Sequence, residues 1–119
     1  MKKLKLLCGF LLIAVVLSTE NPSAFAYDKL TMLNATGKTI YRVYLAPNAY
    51  TDWGPDRLSG TWPTGQKNTW DVSGYRDWDL KIVFSNGREA IFEYTINTNR
   101  VRSLTIAPNG NGGYHLVYN

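Results

Sequence analysis

Cysteine and histidine are almost missing from this 119-residue chain, which has one of each, Cys8 and His115. A lone cysteine excludes an internal disulfide, so the domain must be held by its core alone. The sequence also contains neither a Gly-x-Ser-x-Gly elbow nor a His-Glu-x-x-His motif. The scarcity of cysteine and histidine and the absence of these catalytic motifs predict a protein that is not an enzyme and that holds no cofactor.

The remaining side chains that could act as acid or base are predicted to be solvent-exposed and not catalytic. His115 falls on the polar phase of the last predicted strand, which predicts an outward-facing side chain. Asp79 and Glu93 could lie side by side on the outer face of a hairpin, as the carboxylate pair of a glycosidase does. Because Lys81 lies within reach of both, we predict a solvent-exposed charge cluster instead.

Long hydrophobic runs are also lacking, apart from one near the N-terminus. Residues 6–17 form an apolar run between the basic segment 1–5 and Ala24-Phe25-Ala26. A membrane-spanning helix needs roughly 20 residues, whereas a shorter run followed by two small residues at this spacing is typical of a secretory signal peptide. We predict that residues 1–26 are a cleaved leader and that residues 27–119 are an exported domain, periplasmic or secreted, without a transmembrane anchor.

Charged residues make up only 18% of the sequence. Outside the predicted leader, ten lysine and arginine residues and eight aspartate and glutamate residues leave a net charge of +2, and the cations are scattered. Nucleic-acid-binding proteins concentrate their cations on one face, so nucleic acid is not an expected partner. Four tryptophans and eight tyrosines are available for a core, and we expect a cysteine-free monomer.

The chain pattern predicts strands and no helices. Short runs of β-branched and aromatic residues recur between Gly, Pro, Asn and Asp residues, and no segment keeps a helical period. Strands are predicted at Lys29–Leu33, Thr39–Leu45, Lys67–Val72, Trp78–Phe84, Glu89–Ile96, Val101–Ile106 and Tyr114–Tyr118. Seven short strands in one small domain predict an all-β fold, a small antiparallel β-sandwich.

One hairpin can be predicted in register. A two-residue turn would place apolar side chains opposite polar ones, whereas a three-residue loop at 85–87, with a bulge at its glycine, aligns the apolar faces. That register pairs Leu80 with Phe92 and Trp78 with Tyr94. It therefore assigns Trp78 to the core.

The long segment between the second and third strands, residues 46–66, is the candidate functional region, because loops of this length are uncommon in compact domains. It contains Asp52-Trp53-Gly54-Pro55-Asp56-Arg57-Leu58 and Trp62-Pro63-Thr64-Gly65-Gln66. With Trp78-Asp79-Leu80-Lys81 and residues 84–90, these stretches resemble an uncharacterised family of small exported bacterial β-sandwich proteins, whose most specific element is Trp-Gly-x-Asp-x-Leu. The resemblance implies the fold and no activity. Family members with a cysteine pair carry it where this chain has Asp77 and Asn99, so no disulfide is carried over.

The simplest interpretation of the loop is structural. Trp53 and Leu58 would fold back as a plug over one end of the sandwich. Gly54 and Pro55 would begin a helical turn, with Asp56 near its positively polarised N-terminus.

Two binding interpretations compete with the plug. Tyr50, Trp53, Trp62 and Tyr75 could form a site for carbohydrate or peptide, because flat amphipathic rings stack on apolar ligand faces. In that case Tyr50 and Trp62 would lie outside the core. Alternatively, the whole loop could insert into a groove of a partner protein, as in a structural or inhibitory interaction domain.

A calcium site is the last interpretation of the loop. Asp52 and Asp56, with Asp71 or Asp77, could supply carboxylate oxygens, but calcium requires six to eight ligands and the spacing is not that of an EF-hand. We expect no metal there. The sequence therefore favours a non-catalytic binding module for carbohydrate or peptide, acting at the cell envelope or outside the cell.

Overall fold

The computed structural model describes residues 28–119. The predicted leader and its cleavage site lie outside the described residues. All seven predicted strands are confirmed, with ends that move by at most two residues. They are β1 (Lys29–Asn34), β2 (Ile40–Pro47), β3 (Lys67–Asp71), β4 (Asp77–Phe84), β5 (Glu89–Asn97), β6 (Ser103–Pro108) and β7 (Tyr114–Tyr118). Over the same range, no helix is long and apolar enough to cross a membrane.

The strands form two sheets, as expected for a β-sandwich. One sheet has four strands in the order β3-β1-β6-β7, and the other has three in the order β2-β4-β5. Neighbouring strands are antiparallel except β1 and β6, which are parallel. The four-stranded sheet is therefore mixed, with one parallel pair. That pair forms because the chain passes through the three-stranded sheet as β4 and β5 and then returns to the first sheet as β6, beside β1.

The core lies between the sheets and follows from the period-two alternation of each strand. β1 buries every second side chain, and β6 does the same. The apolar side chains that are almost completely buried include Leu30, Met32, Val43, Leu45, Leu80, Ile82, Ile96, Leu104 and Ile106. Burying one such side chain stabilises the fold by about 1.5–3 kcal/mol, so a cysteine-free domain of this size is held together by these contacts.

The β4–β5 hairpin has the predicted register at its turn and a different one farther along. Leu80 pairs with Phe92 as predicted, and Gly87 has a φ of 85° in the turn. The predicted pairing of Trp78 with Tyr94 is wrong, because the register shifts between Trp78 and Leu80 and Trp78 pairs with Ile96. Extra residues of β5 lie opposite the shift, so the hairpin bends there as at a β-bulge.

Asp79 lies at this shift, and its predicted exposure is wrong. The side chain is completely buried, whereas Glu93 is exposed, so the two do not form a solvent-facing charge cluster. Asn48 donates from Nδ2 to both carboxylate oxygens of Asp79, at 3.3 and 3.4 Å. A buried carboxylate needs such donors, and this one fastens the start of the long loop to β4. His115 is exposed on β7, as predicted.

Candidate functional site

The loop between β2 and β3 closes one side of the sandwich. Val43 N–H of edge strand β2 donates to Asp56 Oδ1 at 2.9 Å, and Arg57 N–H donates to Val43 O at 2.7 Å. Trp62 and Ile40 exchange two backbone hydrogen bonds, at 2.9 and 3.0 Å. Residues 56–62, here called the edge cover, therefore occupy the backbone groups of β2 that would otherwise be open to another strand.

Arg57 connects the two sheets at this side. Its Nη2 donates to Leu45 O on β2 at 2.8 Å, and Nη1 donates to Asp71 O at the end of β3 at 3.5 Å. Burial lowers the pKa of the Arg57 guanidinium from its ordinary value, and the charge of Asp71 partly offsets this effect. The guanidinium carbon lies 5.8 Å from the centroid of the Trp78 ring, so Arg57 also covers that tryptophan.

Tyr50 and Tyr75 come together beside Trp78, and we call these three residues the aromatic corner. The tyrosine rings are nearly perpendicular, at 85°, with centroids 5.5 Å apart. Their hydroxyl oxygens are 3.2 Å apart. Tyr50 is 45% exposed and Tyr75 is 43% exposed. The corner therefore presents two ring surfaces and a pair of hydroxyls to solvent.

The backbone of Tyr75 is held by buried neighbours. Trp78 Nε1 and Thr98 Oγ1 both donate to Tyr75 O, at 3.0 and 3.1 Å. The Tyr75 and Trp78 rings meet edge to face with centroids 6.0 Å apart. The hydrogen bond with Tyr50 raises the pKa of the Tyr75 hydroxyl, and burial raises it further. Tyr75 therefore has a fixed position before any ligand arrives, which lowers the cost of ordering it on binding.

The other two aromatic candidates lie elsewhere. The prediction that Trp62 lies outside the core is wrong. It is completely buried, donates from Nε1 to Gln66 O at 2.8 Å, and packs edge to face on Trp70. Trp53 is half-buried on the outer face of the three-stranded sheet, where Lys81 Nζ lies 5.5 Å from the centroid of its ring. Of the four predicted residues, the structure therefore brings together only Tyr50 and Tyr75.

The structural interpretation of the loop is correct in part. Leu58 is partly buried and packs against the core, as expected of a plug, whereas Trp53 lies beside Lys81 on the outer face of the sheet and is not part of a plug. Residues 53–58 form no helical turn, and Gly54 has a φ of 72°. Asp56 caps the edge of β2 instead of a helix, because its Oδ1 accepts hydrogen bonds from Val43 N–H and Leu58 N–H.

The same bonds bear on the calcium interpretation. Asp56 Oδ1 already accepts two backbone hydrogen bonds, whereas Asp52 is exposed. Residues 28–119 contain no group of three or more histidine, cysteine, aspartate or glutamate side chains that could hold a metal ion.

The sequence does not predict Trp78 as a member of the aromatic corner, nor Arg57 as the residue that covers Trp78. Trp78 was assigned to the core, where it is 3% exposed, but one edge of its ring also supports Tyr75. Arg57 gives no signal in a single sequence, because its role depends on carbonyls of β2 and β3 that are brought together only by folding.

Neither a protein-family model nor a curated protein matches the sequence. The fold is similar to that of a protein from Eubacterium rectale whose structure was determined by NMR. The two superpose with a TM-score of 0.57 and 9% sequence identity, covering 76% of this chain and 85% of that chain. At this identity the likeness supports the fold alone.

Proposed function

We propose that this chain is an exported, non-catalytic binding module that takes carbohydrate at the aromatic corner. The observation that carries the proposal is the pair formed by Tyr50 and Tyr75, two nearly half-exposed rings at 85° with hydroxyls 3.2 Å apart. Large exposed rings that are fixed in position by a buried neighbour are typical of sites that recognise amphipathic ligands.

The geometry matches the chemistry of a sugar. A pyranose has an apolar C–H face, which stacks on an aromatic ring, and hydroxyls around its rim, which need donors and acceptors. A tyrosine hydroxyl has one donor and two acceptor positions. The bond between Tyr50 and Tyr75 uses one of the two donors, so the other donor and the unused acceptor positions serve the ligand.

The N-terminal pattern supports export. A basic start, a short apolar run and Ala24-Phe25-Ala26 are the parts of a signal peptide. A mature chain beginning at Tyr27 would meet polysaccharide in the periplasm or outside the cell, where the aromatic corner could bind it.

The alternative, insertion of the whole loop into a partner protein, is less favoured. The edge cover is bonded through its backbone to Val43 and Ile40, and Trp62 and Leu58 pack into or against the core. Insertion would require breaking these contacts and uncovering Trp62, which is completely buried.

A glycan array followed by titration of tryptophan fluorescence tests the proposal. We expect saturable binding of at least one polysaccharide or oligosaccharide, lost in Tyr50→Ala and in Tyr75→Ala. Tyr41→Ala is the matched control, because Tyr41 is 47% exposed and lies near the opposite end of β2. An array without binding, or an equal loss in Tyr41→Ala, would contradict carbohydrate recognition at the corner.

A further inference from the structure

The side of the sandwich opposite the edge cover is not closed along its whole length. Edge strands β5 and β7 are joined at one end, where the Tyr118 hydroxyl donates to Thr95 O. At the other end, a cleft of about 270 Å³ lies between Glu89–Phe92 of β5 and residues 112–114. We call this opening the β5 cleft.

The floor of the β5 cleft is aromatic. Phe84 and Tyr114 lie with ring centroids 5.0 Å apart at 33°, and Phe92 lines the cleft beside them. Phe92 and Tyr114 are half-buried, so their rings present apolar surface to whatever enters. The cleft volume is close to the lower bound of the roughly 300–1,000 Å³ of sites for drug-sized ligands, which leaves room for one large side chain.

One wall of the cleft is the open backbone edge of β5. Phe84 N–H donates to Arg88 O at 2.9 Å, which makes this a hydrogen-bonded pair of the ladder. Hydrogen-bonded and non-bonded pairs alternate along antiparallel strands, so Ala90 and Phe92 bond to β4. The N–H and C=O groups of Glu89 and Ile91 consequently point away from β4, toward the open edge.

Cations flank the aromatic floor. Lys38 from the β1–β2 turn and Arg88 from the β4–β5 turn both line the cleft, and both are exposed. Glu89 and Ile91 follow the outward phase of β5, because Ala90 and Phe92 pack against the core. Glu89 also lines the cleft, so the lining carries two cations and one carboxylate, a net charge of +1 that favours an acidic ligand over a basic one.

We propose that the β5 cleft binds an extended peptide segment of a partner protein, which adds a strand beside β5. Its backbone pairs with Glu89 and Ile91, and one apolar side chain enters the cleft over Phe84, Phe92 and Tyr114. Acidic side chains two residues before and after it lie on the same face, and the one toward the turn end of β5 lies near both Lys38 and Arg88. Strand addition of this kind takes affinity from main-chain hydrogen bonds and specificity from pockets for alternate side chains. The site is independent of the aromatic corner.

Blocked pentapeptides test the proposal on the folded protein by amide chemical shifts. The probe Glu-Thr-Phe-Thr-Glu should shift the amides of residues 89–92 and 112–114 saturably. Lys-Thr-Phe-Thr-Lys should bind about tenfold more weakly, a difference expected of two lost charge-assisted contacts at an exposed site. No saturable shift by the acidic probe, or equal binding of both probes, would overturn the proposal.

Two variants separate backbone pairing from charge. Ile91→Pro removes an N–H that faces the open edge and leaves the ladder to β4 intact, so the melting temperature should be kept and binding of the acidic probe lost. Arg88→Glu should reverse the preference between the two probes, whereas Arg100→Glu, an exposed cation beyond the other end of β5, should not. Should Ile91→Pro unfold, Arg88→Glu decides alone, and an unchanged preference in that variant refutes the assignment.

Discussion

Burial separates two aromatic residues of the same loop, Trp62 and Tyr50. Trp62 is completely enclosed and donates to Gln66 O, whereas Tyr50 is 45% exposed and contacts Tyr75. Each has a threonine on one side and a small apolar residue, Ala49 or Pro63, on the other, so local composition does not distinguish them. The isolated bridge between Trp62 and Ile40 explains the difference, because it draws the tryptophan between the sheets.

We expect Trp62→Ala to lower the free energy of unfolding by about 3–5 kcal/mol, the usual cost of truncating a buried large aromatic residue. Tyr50→Ala should lower it by about 1 kcal/mol, because it removes only a partly exposed edge-to-face pair. Urea denaturation of both variants measures the difference. Equal losses would mean that the aromatic corner is part of the core and not a site added to it.

The hydroxyl of Tyr75 gives a pH-dependent prediction. Its pKa is raised above the ordinary value of 10.0, chiefly by the hydrogen bond with Tyr50. Because the folded-state pKa is the higher one, the contribution of this group to stability is present below pH 10 and is lost as the pH rises through the folded-state pKa. Residue-specific NMR titration of the ring should give a lower pKa in Tyr50→Phe. An unchanged Tyr75 titration in that variant would show that the hydroxyl pair is not formed in solution.

At the scale of elements, the edge cover blocks the open backbone edge of β2. Val43 N–H and Ile40 N–H bond to Asp56 and Trp62, so β2 offers no open template along this stretch. Uncovered sheet edges promote pairing between molecules, and natural proteins block them. The Asp56 carboxylate accepts the Val43 N–H in place of a neighbouring strand.

Asp56→Ala should lower the free energy of unfolding by about 1–3 kcal/mol, because it leaves the N–H of buried Val43 without its acceptor. Asp52→Ala is the matched control: that carboxylate is exposed in the same loop, and its loss should change stability by less than about 0.5 kcal/mol. Light scattering should also show concentration-dependent association for Asp56→Ala. Two variants of equal stability would contradict the capping role of Asp56.

At the scale of elements, the sequence predicts all seven strands, because alternation and turn residues are local signals. The register at Leu80 and Phe92 follows from the glycine in the turn. The register shift between Trp78 and Leu80 cannot be predicted from the sequence. It accompanies the burial of Asp79, whose position in the alternation of β4 predicts a solvent-exposed side chain. Of the aromatic corner, the sequence predicts Tyr50 and Tyr75 as exposed rings and places Trp78 in the core. The contact of Arg57 with Trp78 is not predicted, because it depends on strands that are distant in the sequence.

The whole molecule is asymmetric from side to side. Arg57 and the edge cover link β2 to the end of β3 on one side. On the other side, β5 and β7 are joined through Tyr118 and Thr95 and separate toward the β5 cleft. Both binding proposals follow from this arrangement, because the closed side fixes the aromatic corner and the open side exposes a strand edge.

Hydrogen exchange, measured on the unmodified protein and on Asp56→Ala, tests the asymmetry. The amides of Ile40 and Val43 are bonded to the edge cover, so they should exchange slowly, through an opening that removes the cover. The amide of Ile91 points to the open edge and should exchange at a rate near that of an exposed amide, although its neighbours Ala90 and Phe92 should be protected by β4. Asp56→Ala should speed exchange at Val43 and leave Ile91 unchanged. Slow exchange at Ile91 in the free protein would mean that the edge of β5 is already occupied in solution, and the peptide could then not pair there.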